Sequence, residues 1–379
     1  MVGAGIKPFW IAGIRKMDNI NKVLSGSEKA VYSLRSLYTS YGYVQYKMSK
    51  FEEYDLYVRN KDFLVSDAVI TFTDTDGKLL ALKPDVTLSI IKNGKDIDNG
   101  VKKVCYGENV YRPSKGTRSF KELMQVGLEC QGDIDDYIIT EVLALAVKSL
   151  KSISEDYALD ISSLDVVSGV LEDLSLNKSA KKEILEYLGE KNADRIADVL
   201  DRENIDQEKG KALIELSKLY GAPTKVVEIL NGLNLTGKAK EGLDKLQIVT
   251  EGLSALGLID NVNIDFSVVD NMNYYNGIVF KGFISGIPTG ILSGGQYDNL
   301  MQKMGRKNGA IGFAVYMDEL ESISNVQNKY DVDVVVLYDN KTPIGKVNEL
   351  VENTVKGGET VLATKTSPDK LRYKRLIKA

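Results

Sequence analysis

Val269-Asp-Asn-Met-Asn-Tyr-Tyr-Asn-Gly-Ile-Val-Phe280, Ser293-Gly-Gly-Gln-Tyr-Asp-Asn-Leu300 and Gly309-Ala-Ile-Gly-Phe-Ala-Val315 follow one another near the C-terminal end of the chain. Each joins a β-rich apolar run to glycine. Gly294 and Gly295 let a backbone come close to a ligand, because a glycine has no Cβ to stand in the way. Tyr274 and Tyr275 offer an aromatic wall with a phenol donor. Paired tyrosines are also ordinary strand packing, and the chain has 20 of them, so the flanking pattern is what sets this pair apart.

Outward from these segments, the periodicity predicts strands at Val262–Phe266, Ile278–Phe283 and Gly290–Leu292. Others fall at Tyr43–Tyr46, Lys103–Tyr106 and Met124–Glu129. Val69–Phe72 and Leu79–Leu82, joined by a turn at Asp76-Gly77, read as an antiparallel hairpin. Ser27 to Tyr41 reads as a helix with Val31, Leu34 and Leu37 near one face and Ser27 as its cap, and Thr140–Leu150 as another. From about 156 to 247 the chain turns to Leu, Glu, Lys and Ala in helical periods, broken at Gly221-Ala-Pro223 and Asn231-Gly232. This is either a helical insert or a helical layer of the same domain. The fold class expected is α+β, with an antiparallel sheet assembled from both sides of the helical stretch. Residues 330–379 read as a small α/β unit: strand Val332–Leu337, helix Pro343–Lys356, strand Thr360–Ala363. Lys370-Leu-Arg-Tyr-Lys-Arg-Leu376 reads as a surface helix if it does not serve a binding role.

Composition removes whole classes of chemistry. There is no histidine among the 379 residues, which excludes imidazole bases and His-ligated metal sites. Two cysteines, Cys105 and Cys130, are too few for a four-ligand zinc site and are expected reduced and buried. No cofactor and no metal is expected. The net charge of −4 gives no overall pull toward nucleic acid. No apolar run reaches membrane-spanning length, and Lys7, Pro8 and the glycines of residues 1–16 break any signal-peptide core. That segment is expected to be poorly ordered, with Met17 as the effective start and the cytoplasm as the compartment.

The order and spacing of the opening motifs resemble the histidine-binding half of histidyl-tRNA synthetases, a class II fold, over Asn21 to Ile323. Two earlier segments extend the likeness. Lys83-Pro-Asp-Val-Thr87 is similar to the family's Arg-Pro-Glu-x-Thr, with Asp85 and Thr87 suited to an ammonium group. Tyr106-Gly-Glu-Asn-Val-Tyr-Arg-Pro-Ser-Lys-Gly-Thr-Arg-Ser-Phe-Lys-Glu-Leu-Met-Gln-Val-Gly-Leu-Glu129 resembles the strand-loop-strand motif 2. Gln125 and Glu129 fall where the family holds its amino acid, and their even spacing puts both on one strand face. The resemblance therefore implies a histidine pocket of Asp85, Thr87, Gln125, Glu129, Tyr274, Tyr275 and Tyr297. It also implies three missing arginines. The positions expected to carry them are occupied by Tyr111, Asp270 and Glu319, and Gln296 replaces a further basic residue. Arg112 stands next to Tyr111, but a one-residue slip turns it off the required face unless a bulge intervenes. Losing one such group commonly costs about 2.7–4 kcal/mol of transition-state stabilisation, so losing three leaves adenylation negligible.

Kept amino-acid groups and lost nucleotide groups make the chain similar to the regulatory subunits of ATP phosphoribosyltransferase, paralogues of the synthetase. That likeness implies a partner, the short catalytic subunit, and a dimer through the class II core. It further implies histidine as feedback effector, no tRNA, and a C-terminal unit like a shortened anticodon-binding domain. An active synthetase and a stand-alone amino-acid sensor are the alternatives.

Overall fold

The computed structural model describes residues 24–64, 68–113, 119–269, 274–321 and 330–379. The first sixteen residues and Asp270 lie outside that set. The chain divides into two compact units, residues 30–323 and a second drawn from both chain ends.

Helix α1 (Gly26–Ser40) is capped two residues earlier than expected. Ser25, not Ser27, accepts from Glu28 N at 3.2 Å, and Ser25 N donates to Glu28 Oε2 at 2.8 Å, a reciprocal capping box. Strand β1 (Val44–Gln45) follows, then a small sheet of β2 (Phe51–Glu53), β3 (Thr71–Thr73) and β4 (Leu79–Leu82) in the order β2-β4-β3, with the short helix α2 (Tyr54–Arg59) between β2 and β3. The predicted hairpin is there. Gly77 sits at φ +79° between β3 and β4, a left-handed conformation that suits glycine. The hairpin belongs to this small sheet and not to the main one.

Helix α3 (Thr87–Asn93) leads to the two long strands β5 (Val101–Pro113) and β6 (Phe120–Gly132), and α4 (Asp136–Ile153) follows. Asp135 caps α4 by accepting from Ile138 N at 2.9 Å. Strand β7 (Tyr157–Ser163) comes next, ahead of helices α5 (Leu164–Asp173), α6 (Lys178–Gly189), α7 (Ala193–Arg202) and α8 (Gln207–Lys218). Then come the two-residue β8 (Tyr220–Gly221), α9 (Pro223–Asn231) and α10 (Gly237–Ala255). The strands β9 (Val262–Asp265), β10 (Asn276–Ile284) and β11 (Leu292–Gln296) precede α11 (Asp298–Lys303), β12 (Gly309–Tyr316) and α12 (Met317–Glu321). The helical stretch was expected to begin near 156. Its first residues instead form β7, inside the main sheet, because Leu159 and Ile161 alternate with Asp160 and Ser162.

Among the described residues the main sheet has nine strands in the order β1-β5-β6-β12-β11-β10-β7-β9-β8. It is mixed and not purely antiparallel: β1 runs parallel to β5, and β7 parallel to β9. One face carries Cys105, Leu128, Phe280 and Phe313 into the large core shared with α4, α5 and α10. Each such side chain removed from water contributes about 1.5–3 kcal/mol. The other face, under α3 and α11, carries the residues of the site.

The C-terminal unit holds β13 (Val332–Leu337), α13 (Ile344–Lys356), β14 (Val361–Thr364) and β15 (Tyr373–Lys378). Lys370–Leu376 was read as a helix, but β15 pairs in parallel with β13 along Val332↔Tyr373 to Leu337↔Lys378. Charge matching accounts for it. The basic side chains of this stretch pair with acids, Arg372 with Asp331 at 2.7 Å, Lys374 with Asp333 at 2.6 Å and Arg375 with Glu359 at 2.5 Å.

Candidate amino-acid site

Register fixes which side chains share a face. Val104, Glu129, Gly312, Gly295 and Val279 are successive cross-strand partners, and the next row reads Tyr106, Gly127, Ala314, Ser293, Lys281. A third row brings together Glu108, Gln125 and Tyr316. Large polar groups thus stand beside a trough of glycine, alanine and serine. Gly312 is required: a Cβ there would lie 1.9 Å from Glu129 Oε2.

Glu129 is the centre of the arrangement, 2% exposed. Thr87 Oγ1 donates to its Oε1 at 2.8 Å and Tyr297 Oη to its Oε2 at 2.6 Å. Burial pushes its carboxyl up to about 8, against the two hydroxyl bonds, which favour the charged form. Asp85 is also raised by burial, opposed by Arg112. Its Oδ1 accepts from Leu88 N at 2.9 Å, which fixes the start of α3 and so aims Thr87. Tyr274, Tyr275 and Tyr297 form an aromatic cluster, with Tyr274 centroids 4.5 Å from Tyr275 and 5.9 Å from Tyr297. All seven residues assigned to the pocket from sequence lie in this one region, and Gln125 is 4% exposed on the same face as Glu129.

Several residues that matter here were missed. Asn276 and Asp298 lock the two tyrosine motifs together: Asn276 Nδ2 donates to Asp298 Oδ2 at 2.8 Å, and Asp298 N to Asn276 Oδ1 at 2.7 Å. Gln296 is spent on structure, accepting from Ile278 N at 3.0 Å. Lys83, fully buried, pairs with Glu108 at 2.6 Å on the pocket wall. Tyr106 stands against Gly127.

Arg112 is the main correction. β5 and β6 pair without interruption from Val101↔Gly132 to Pro113↔Phe120, so no bulge intervenes. Six residues from Tyr106 and opposite Lys121, Arg112 lies on the Glu129 face, and Tyr111 lies on the other, where its Oη donates to Glu122 at 3.0 Å. The expectation had the two reversed. Arg112 Nε donates to Pro84 O at 2.6 Å and its Nη2 lies 3.6 Å from Asp85 Oδ2. Glu319, on α12, accepts from Thr289 Oγ1 at 2.9 Å. Among the described residues no three His, Cys, Asp or Glu gather as metal ligands. An open groove of about 380 Å³ lies beside β2 and α2, but its lining includes neither Glu129 nor Asp85, whose carboxyls burial raises.

This fold is that of the class II histidyl-tRNA synthetases. The family model for histidyl-tRNA synthetase matches residues 22–320. The ATP phosphoribosyltransferase regulatory subunit of Clostridium kluyveri is 30% identical over 80% of this chain and 81% of its own. An ATP phosphoribosyltransferase regulatory subunit/histidyl-tRNA synthetase from Bacillus halodurans superposes with a TM-score of 0.76 at 23% identity, covering 98% of this chain and 99% of the other. A chain of the ATP phosphoribosyl transferase (HisG:HisZ) complex from Thermotoga maritima gives 0.59 at 21% identity, over 76% and 96%. The chain belongs to the histidyl-tRNA synthetase family and, within it, to the ATP phosphoribosyltransferase regulatory subunits.

Proposed function

We propose that the chain is the non-catalytic regulatory subunit of an ATP phosphoribosyltransferase, acting with a short catalytic subunit in the first step of histidine biosynthesis. L-histidine in the Glu129 pocket is its feedback signal. The chain dimerises through its class II core, works in the cytoplasm and has no tRNA substrate. The observation that carries this reading is the division within one site. Asp85, Thr87, Gln125, Glu129 and the tyrosines are gathered, while Glu319 puts a carboxylate where the family's nucleotide-stacking arginine is expected. Arg112, on the pocket face, supplies the cation that a ligand carboxylate needs.

The effector can regulate only by binding one state of the assembly better than the other, by a coupling of roughly 1–3 kcal/mol. Mixed with the short catalytic subunit, the chain is expected to switch on phosphoribosyl transfer, and histidine to suppress it. Glu129→Ala should leave assembly and activation intact and weaken inhibition at least tenfold. Failure to activate would remove the regulatory reading. Unchanged inhibition in Glu129→Ala would move the effector site elsewhere.

Arg112 on the pocket face favours one second reading, an active synthetase with an unusual nucleotide end. Exchange of pyrophosphate dependent on histidine and ATP would establish that reading, and its absence is expected.

A further inference from the structure

We infer that Lys191 is a positioning residue that couples the helical stretch to the amino-acid pocket, by holding residues 265–269, from which the chain runs on to Tyr274 and Tyr275. The inference rests on reading the pocket as an amino-acid site. Lys191 stands in the turn between α6 and α7 at φ +56°, a left-handed conformation that glycine takes without cost and a residue with a Cβ does not. Its side chain supplies what a glycine would lack. The Nζ lies 2.7 Å from Asp265 Oδ2 and 4.4 Å from the centroid of the Tyr220 ring, so one ammonium ties the end of α6 to β8 and β9.

Asp265 in turn shapes the chain that follows β9. Its Oδ1 accepts from Ser267 N at 2.9 Å, and Val268 N donates to Asp265 O at 3.2 Å. The end of α6 lies against the same turn: a Cβ on Gly189 would come within 3.7 Å of Val269 Cγ2 and 3.9 Å of Ser267 O, ordinary contact distances. A second route runs along the sheet. Asn263 Nδ2 donates to Tyr220 Oη at 3.1 Å and to Asp160 Oδ1 at 3.0 Å, and Asp160 is the cross-strand partner of Lys281 on β10, the strand that Asn276 opens. The ion pair itself is unequal, with side-chain exposures of 43% for Lys191 and 6% for Asp265. The lysine can swing into water without opening the core, but it would leave a buried carboxylate without its cation, which is costly. The contact therefore has two arrangements, made and broken, and whatever steadies residues 265–269 favours the made one. A ligand against Tyr274 and Tyr275 does so, and by reciprocity the made contact strengthens the hold on the ligand.

The test compares the full chain as wild type, Lys191→Met and Lys191→Arg, by calorimetric titration with L-histidine and by amide hydrogen exchange with and without it. Lys191→Met keeps the stem and drops the charge. It should weaken histidine binding about threefold to tenfold, and Lys191→Arg should recover most of that loss. In the wild type, histidine should slow exchange in the turn between α6 and α7 as well as on β6. In Lys191→Met at saturating histidine, only the slowing on β6 should remain. An affinity unchanged in Lys191→Met, or a wild-type turn whose exchange does not respond to bound histidine, would overturn the inference and leave the pocket reading standing. Wild type that binds no histidine removes that reading and the inference with it.

Discussion

Glu129 is held by two hydroxyls in a buried pocket, with no cation paired to it among the described residues, and this gives the protein a specific pH response. Its carboxyl titrates near 8 when folded, against an ordinary value of 4.5. Between those values the native state keeps a proton that the unfolded chain has released. Stability from this group is thus complete below about 4.5 and falls as pH rises to about 8, by on the order of a few kcal/mol. Urea midpoints of wild type should decline across that window, and Glu129→Gln should flatten the decline. Parallel profiles for the two proteins would mean that the carboxylate is ionised at neutral pH. Gly312→Ala is the steric counterpart. Its Cβ would occupy the place of Glu129 Oε2 and crowd Leu128 O at 2.5 Å. The variant should lose about 1–3 kcal/mol in denaturant melts and lose histidine binding in titrations, whereas binding at the wild-type affinity would show that Glu129 can shift without consequence.

At the scale of elements, the two hydroxyls on Glu129 come from different helix starts, Thr87 from α3 and Tyr297 from the residue before α11. Arg306, just beyond α11, joins the two. Its Nη2 donates to Ile91 O at 2.9 Å, Lys92 O at 3.1 Å and Gly94 O at 2.7 Å, carbonyls gathered at the end of α3. Arg306→Ala should cost about 1–3 kcal/mol in urea unfolding and weaken histidine binding with it. A loss in stability without any loss in binding would show that the helix starts hold their positions unaided. The sequence made Gln125 and Glu129 legible as a pair on one face, because period two needs no knowledge of the partner strand. It misplaced Arg112 because matching the family's arginine to Tyr111 settles a position in the motif and not the face of the strand. Counting forward from Tyr106 along the strand itself gives the observed face. Asn276 with Asp298, and Lys83 with Glu108, pair across 22 and 25 residues, and no local pattern announces such contacts.

For the whole molecule, the order of motifs was enough to identify an α+β class II core, since that order survives when single residues change. The parallel pairs were not legible. β1 and β9 join by contacts that only the assembled sheet supplies, and β15 was hidden by its charge, which looks solvated in isolation but is matched by Asp331, Asp333 and Glu359. Among the described residues no helix is long and apolar enough to cross a membrane. The central claim is that the core has kept an amino-acid pocket and turned it into a receptor. The measurement that tests it most directly is calorimetric titration of L-histidine into the isolated chain and into Glu129→Ala, without ATP. One site per chain, lost in the variant, is the predicted result. No binding to the wild type, or equal binding to both, would contradict the account.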